Sequence, residues 1–166
     1  MSRAESQHCT VVITGVGSPF GADRLGWLAI DGLEQSNLRD HVPDLRLNFA
    51  QADRPGALLL EQLRGVDAAI IIDAMQTGSP PGTLRTFTPE QLLTQNTGLL
   101  SSHAFGVVEA VSLGFTLGEL PMQLSIIGIE VGNDVNEVLL PDRTRHELLW
   151  VVEDILISVK RAAGTS

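Results

Sequence analysis

The sequence is poor in cysteine and in basic residues, and each shortage excludes a class of protein. Cys9 is the single cysteine among 166 residues, so the chain can form neither an internal disulfide nor a multi-thiolate metal site. Lysine and arginine number 11 against 20 aspartates and glutamates, which gives a formal net charge of -9. Because nucleic acids and anionic membranes attract cationic surfaces, we expect neither as a partner.

Long apolar runs are also missing. No stretch approaches the ~20 apolar residues of a membrane-spanning helix, and the N-terminal stretch MSRAESQHCT has no apolar core typical of a secretory signal. Together with the single cysteine, this composition predicts a cytoplasmic protein. No repeat, low-complexity tract or linker interrupts the chain, so we expect one domain over residues 1–166, with residues 1–8 and 162–166 as frayed tails.

Strand-like and helix-like segments alternate along the chain. Continuous apolar stretches such as AAIII and SIIGI are typical of parallel strands that are covered on both faces. Helix-like segments with apolar residues at i, i+3 and i+4 lie between them, and Pro141 opens the longest one. The stretch PPGTLRTF is bracketed by prolines and indicates a short edge strand. This pattern predicts a three-layer α/β/α fold with a twisted, mostly parallel five-stranded sheet and one antiparallel edge strand.

Candidate site residues follow the predicted strands, where ligands bind in sheets of this kind. Asp23 ends the loop after the first strand, Asp73 directly follows three isoleucines, and His103 precedes a predicted helix. Two carboxylates and one imidazole suit a borderline divalent metal such as nickel or zinc, with positions left open for a substrate. The alternative for each residue is structural: a turn or helix-cap aspartate, or a surface histidine.

The glycine-rich stretch GVGSPFG allows a second hypothesis, a nucleotide-binding loop. Its spacing is one residue longer than the dinucleotide fingerprint, and the acid expected ~20 residues later is represented only by Asp53, late and beyond the second strand. The Lys-Ser/Thr pair of a P-loop is also missing. A serine nucleophile at Ser101 or Ser102 would lack the G-x-S-x-G elbow. A metal site therefore explains the pattern better than either alternative.

Three stretches together resemble the hydrogenase maturation endopeptidases, which remove the C-terminal tail of the large subunit of a nickel-iron hydrogenase after nickel insertion. These stretches are GVGS…GADRLG, IIIDAMQTGSPPGTLRTF and SSHAFGVVEAV, in the family's order and across nearly the whole chain. The resemblance implies a metal-dependent, aspartic-type endopeptidase. Its partner would be a nickel-iron hydrogenase large-subunit precursor, which supplies the nickel, with other divalent ions able to substitute.

The resemblance also implies roles for single residues. Asp23, Asp73 and His103 match the family's metal ligands, and the two aspartates would be the catalytic pair, one acting as general base. The first loop differs from the family pattern. An ungapped count places Arg24 at the first ligand position, whereas alignment on Gly26 places Asp23 there, and we prefer Asp23.

Three further residues are expected to contact the substrate. Gly15 and Gly17 would let the backbone approach the inserted tail closely, and Glu130 in IIGIEVGND would line the cleft or, alternatively, pair at the strand end. The altered first loop keeps open a second function, a non-cleaving chaperone of the same family that binds the precursor. A nucleotide-binding α/β module is the third hypothesis.

Overall fold

The computed structural model describes residues 8–19, 21–53, 56–100, 106–132 and 140–164. None of the helices in these ranges is long and apolar enough to cross a membrane. The strands within the described ranges are β1 (Cys9–Gly17), β2 (Leu45–Asp53), β3 (Ala68–Met75), β4 (Leu84–Phe87) and β5 (Gln123–Glu130). The helices are α1 (Leu25–Glu34), α2 (Leu38–His41), α3 (Gly56–Leu63), α4 (Pro89–Thr94), α5 (Val107–Leu117) and α6 (Asp142–Ala163), and a 3-10 turn (Gly21–Arg24) precedes α1.

The five strands form one sheet in the order β2-β1-β3-β5-β4. Strands β2, β1, β3 and β5 are parallel, and β4 pairs antiparallel with β5 at the edge. Every residue of β3 is buried, as expected for a central parallel strand that is covered on both faces. The predicted three-layer, mostly parallel sheet and its antiparallel edge strand are confirmed.

Two apolar cores lie on the two faces of the sheet. Ile70 and Ile72 of β3 pack with α1, α2 and α6, whereas Ile71 and Met75 pack with α3, α4 and α5. Because side chains alternate along a strand, Asp73 lies on the same face as Ile71 and Met75. We call this face the α3–α5 face. It is the face that carries the helix following His103 in sequence.

Several boundaries differ from the sequence-based expectation. Leu25 to Leu38, one of the helix-like segments of the sequence, does not form a single helix. Helix α1 ends at Glu34, because the Ser36 hydroxyl donates to the Leu33 carbonyl and accepts the Leu38 amide, which forms a turn before α2. Asp53 is the exposed last residue of β2 rather than a residue beyond it. At the other end of the chain, α6 includes residues 162 and 163 of the predicted frayed tail.

Helix α4 has no counterpart in the expected pattern. Its six residues are too few for a periodic apolar stripe, but its N-terminus carries a complete capping box. The Thr88 hydroxyl accepts the Gln91 amide, and the Gln91 side chain accepts the Thr88 amide. This short helix packs on β4, β5 and α5 at the edge of the α3–α5 face.

Candidate active site

The strand order produces a crevice at the carboxyl ends of β1 and β3. After β1 the chain forms β2 on one side, and it then returns to form β3 on the other side. Connections that leave neighbouring strands in opposite directions open a crevice at this point, which is where open α/β sheets bind ligands. The 3-10 turn that carries Asp23 follows β1, and Asp73 lies in β3. The topology therefore brings the two predicted acidic residues to the same edge of the sheet.

Asp73 is buried, with 1% of its surface exposed. Strand β3 continues for two residues beyond it, to Met75, so the strand does not end at the carboxylate as the sequence suggested. In the neighbouring strand β5 the residue opposite Asp73 is Gly128, which has no side chain. The carboxylate thus occupies a position in the sheet itself, near its carboxyl edge, on the α3–α5 face.

Asp23 is held against the end of β1 by unusually close backbone packing. A methyl group on Gly17 would lie 1.9 Å from the Asp23 carbonyl oxygen, and one on Gly15 would lie 2.1 Å from the Gly26 carbonyl oxygen. Gly15 and Gly17 therefore have a packing role, seating the turn and α1 on the strand. Their contact with a substrate stays a prediction. Asp23 is half-buried at this place, whereas Arg24 is exposed.

His103 lies among residues 101–105, outside the described residues. The residues that precede it, up to residue 100, are described. Leu99 forms an antiparallel bridge with Met75, and the Gln76 amide donates to the Gly98 carbonyl at 2.8 Å. Leu99 is buried on the α3–α5 face. The segment that leads to His103 therefore runs beside the carboxyl end of β3, where it pairs with Met75, two residues after Asp73 in the strand.

Glu130 is buried at the end of β5, with 1% of its surface exposed. Its carboxylate accepts hydrogen bonds from the Thr77 amide, at 3.0 and 3.1 Å, and from the Thr77 hydroxyl at 2.6 Å. This arrangement corresponds to the second of the two sequence-based interpretations, a paired carboxylate at a strand end. Thr77 could not be identified from the sequence, because a lone threonine after a strand carries no distinctive pattern.

The two predicted aspartates in the described part of the chain, Asp23 and Asp73, offer carboxylate oxygens as possible metal ligands. No group of three histidine, cysteine, aspartate or glutamate side chains suited to a metal occurs in the described part of the chain, which contains both predicted aspartates but not His103. Cys9 lies at the opposite end of β1 from the crevice. Burial, and secondarily the charge of Asp67, raise the pKa of the Cys9 thiol above its ordinary value. A thiolate nucleophile is therefore disfavoured at Cys9.

The family model described as "HycI: Hydrogenase maturation protease" matches residues 54–141, just over half of the chain. The chain belongs to the hydrogenase maturation protease family. The matched stretch contains Asp73 and His103, whereas Asp23 precedes it.

Curated relatives agree with this assignment. The hydrogenase expression/formation protein HupD of Thiocapsa roseopersicina is 25% identical over 122 residues, covering 72% of this chain and 53% of HupD. The hydrogenase 2 maturation protease of Escherichia coli is 29% identical over 122 residues, covering 72% of this chain and 71% of that protein. The chain thus spans about half the length of HupD and more of the E. coli protease.

Solved structures share the fold. The hydrogenase maturating endopeptidase HybD from E. coli superimposes with a TM-score of 0.63 at 20% identity, over 86% of this chain and 89% of that one. The [NiFe] hydrogenase maturation protease HycI from Thermococcus kodakarensis superimposes with a TM-score of 0.54 at 22% identity, over 91% of this chain and 94% of that one. This maturation-protease fold is the three-layer architecture described above.

Proposed function

We propose that this protein is an endopeptidase that removes the C-terminal tail of a nickel-iron hydrogenase large-subunit precursor after recognising its inserted nickel. Family membership supports the activity class. The observation that carries the proposal is the position of Leu99 beside Met75 at the end of β3. It draws the chain that leads to His103 toward Asp73, in the crevice that the strand order creates.

The proposed nickel ligands are Asp23, Asp73 and His103. His103 follows Leu99 by four residues, so chain connectivity alone keeps the two α-carbons within about 14 Å of one another. Carboxylate and imidazole donors suit a borderline divalent ion, and the nickel arrives bound to cysteines of the precursor. In this proposal the metal belongs to the substrate, and the three side chains complete or probe its coordination.

The proposed reaction is direct hydrolysis. A water oxygen attacks the scissile carbonyl carbon, and one of the two aspartates accepts the water proton as general base. The carbon–nitrogen bond then breaks, and the proton leaves with the new amine. The precursor-bound nickel polarises the carbonyl or the water. The enzyme would be specific for the nickel-loaded precursor, because a precursor without nickel could not make the contacts between the metal and the three side chains.

Incubation with a nickel-loaded large-subunit precursor tests this proposal. We expect a mass loss equal to one C-terminal peptide, detected by mass spectrometry. We expect Asp23→Asn, Asp73→Asn and His103→Ala each to lower the cleavage rate by at least about 100-fold, the usual range for a general base or a metal-activating group. Arg24→Ala tests the alternative alignment and should retain activity. Asp31→Asn, which changes an exposed carboxylate of α1, is the matched control.

The other two functions predict different results. Binding of the precursor without any mass loss would favour the chaperone function. A rise in melting temperature with adenine nucleotides, and none with Ni²⁺ or precursor, would favour a nucleotide-binding module. Undiminished cleavage by the two aspartate variants and the histidine variant would contradict the assigned site.

A further inference from the structure

Residues 76–82 form all but the last residue of the connection from β3 to β4, immediately after the strand that carries Asp73. Its sequence, QTGSPPG, contains no charged residue although the chain has a net charge of -9. Gln76, Thr77, Gly78 and Pro80 are exposed. Gly78 has a φ of +85°, and a methyl group placed on it would meet no atom within 4 Å. The loop therefore presents an open, uncharged surface at the lip of the crevice.

A single buried residue holds both ends of this loop. The Glu130 carboxylate accepts the amide and the hydroxyl of Thr77 at the start of the loop. The Glu130 backbone carbonyl accepts the Gly82 amide at 2.8 Å, and the Glu130 amide donates to the Thr83 carbonyl at 2.9 Å. Within the loop, the Thr77 and Ser79 hydroxyl oxygens lie 2.9 Å apart. We call residues 76–82 the braced loop.

The loop is also supported from both neighbouring segments. The Gln76 side-chain amide donates to the Gly132 carbonyl at 3.3 Å, and a methyl group on Gly132 would lie 2.6 Å from Pro81 Cγ. On the other side, the Gln76 backbone amide donates to Gly98, in the segment that leads toward His103. The shape of the braced loop is thus tied to that of the segment beside Asp73.

Holding a surface loop with a buried carboxylate has a high cost in desolvation free energy. Removing an ionised carboxylate from water is strongly unfavourable unless hydrogen bonds compensate for it. Exposed loops do not need a fixed shape for a domain to fold, and insertions in them are generally tolerated. The cost of burying Glu130 is therefore better explained by a need for one particular loop shape than by stability.

We propose that Glu130 is a positioning residue, and that the braced loop is the surface on which the precursor chain next to the scissile bond docks. The inference rests on the proposed function. The ligand is an extended peptide segment, recognised through hydrogen bonds between its backbone and the backbone around Gly78 and Ser79. The amides of Gln76, Thr77 and Gly82 are already engaged in holding the loop, whereas Gly78 is exposed with open space around it, and the loop carries no charge. Glu130 acts through Thr77 and does not itself touch the substrate.

Variants of the brace test the inference with a nickel-loaded precursor as the probe. Glu130→Gln weakens the carboxylate acceptor, Thr77→Val removes only the hydroxyl, and Thr77→Ser keeps it. Glu119→Gln is the matched control, because it removes a carboxylate that accepts from Arg64 at 2.8 Å, beyond the far end of α5. Hydrogen exchange at the Thr77 amide reports on the brace independently of activity.

For Glu130→Gln and Thr77→Val we expect KM and the precursor Kd to rise about tenfold, the usual effect of losing a hydrogen bond to a charged group. We expect kcat to stay within about threefold, because the reacting groups are unchanged. Thr77→Ser and Glu119→Gln should match the unaltered protein. Faster exchange at residue 77 with unchanged KM and Kd would overturn the inference, and so would a loss confined to kcat.

The proposed function and this inference can fail separately. If the unaltered protein binds the precursor without cutting it, the proposed cleavage fails, and the Kd values of the same variants decide whether the braced loop docks the chain. If all brace variants cleave the precursor with the KM and kcat of the unaltered protein, the proposed function stands and the inference is contradicted. If Glu130→Gln does not fold, the Thr77→Val and Thr77→Ser pair provides the same comparison.

Discussion

Gly26 lies where α1 touches the sheet, and replacing it with alanine should destabilise the protein strongly. A methyl group at Gly26 would lie 2.1 Å from the Val16 carbonyl oxygen and 2.9 Å from the Ile72 carbonyl oxygen. Both obstacles are backbone atoms of central strands, which cannot rotate away. Since ordinary contact begins at 3.4 Å, α1 would have to retreat by about 1.3 Å from β1.

The expected cost follows from what this retreat opens. Helix α1 buries Leu25, Ala29, Ile30 and Leu33 in the core that it shares with α6, so the shift loosens their contacts as well. Overpacking of this kind costs ~1–3 kcal/mol or more, and we expect a value near the top of that range, about 3 kcal/mol. For a domain of this size, a loss of 3 kcal/mol lowers Tm by roughly 6–12 °C.

Gly32 in the same helix provides the matched control. A methyl group there would meet no atom within 4 Å, so Gly32→Ala should only improve helix propensity, by ~0.5–1 kcal/mol, and raise Tm by roughly 1–4 °C. Thermal unfolding followed by circular dichroism and by tryptophan fluorescence gives both values and checks that the two probes coincide. Equal shifts for the two variants, or a Gly26→Ala protein as stable as the unaltered one, would show that α1 is not packed tightly on β1 at Gly26.

Three further predictions concern single positions. Gly98 and Gly65 share a φ near +70°, but only a methyl group on Gly98 would meet the backbone, at 2.8 Å from the Gln76 carbonyl oxygen. Gly98→Ala should therefore lower the free energy of unfolding, measured in urea, by ~1 kcal/mol more than Gly65→Ala does. Equal losses would show that Gly98 is not tightly packed. Thr88→Ala should cost ~1 kcal/mol through loss of the α4 cap, and Thr88→Ser should restore most of it. Cys9→Ser should leave precursor cleavage unchanged. The Cys9 thiol should react with a maleimide at pH 7 more slowly than a free thiol, because its pKa is raised. A faster reaction would contradict the raised pKa.

Most of the sheet was predictable from local sequence. The run of isoleucines before Asp73 is a central strand because a parallel strand covered on both faces must be apolar throughout, and the segment matches β3. The prolines around LRTF predicted an edge strand, since proline cannot donate to a neighbouring strand, and β4 is that edge. Helix α4 was not predictable in this way, because its six residues are too short to show a period.

The surroundings of the candidate site residues were predictable only in part. Residue types and strand ends indicated Asp23 and Asp73, but the sequence suggested that β3 stops at Asp73, whereas it continues to Met75. Gly15 and Gly17 were predicted to contact the substrate, and this stays a prediction. The structure adds a packing role that the sequence did not indicate, since Gly17 lies against the 3-10 turn and Gly15 lies against α1. Close backbone contacts between segments produce no periodic pattern in a sequence. A glycine in the sequence therefore does not show whether its backbone packs against another segment or contacts a ligand.

Local sequence was enough to give the layers, the mostly parallel strands, and the residue types on which the proposed site depends, because apolar periodicity and side-chain chemistry are properties of short segments. Tertiary structure alone decided the rest. It folded residues 98–100 back beside β3, and it turned Glu130 inward to hold a loop that lies more than 45 residues away in the chain. Such pairings depend on which distant segments meet in the folded chain, and that information is carried by the packing of the whole domain.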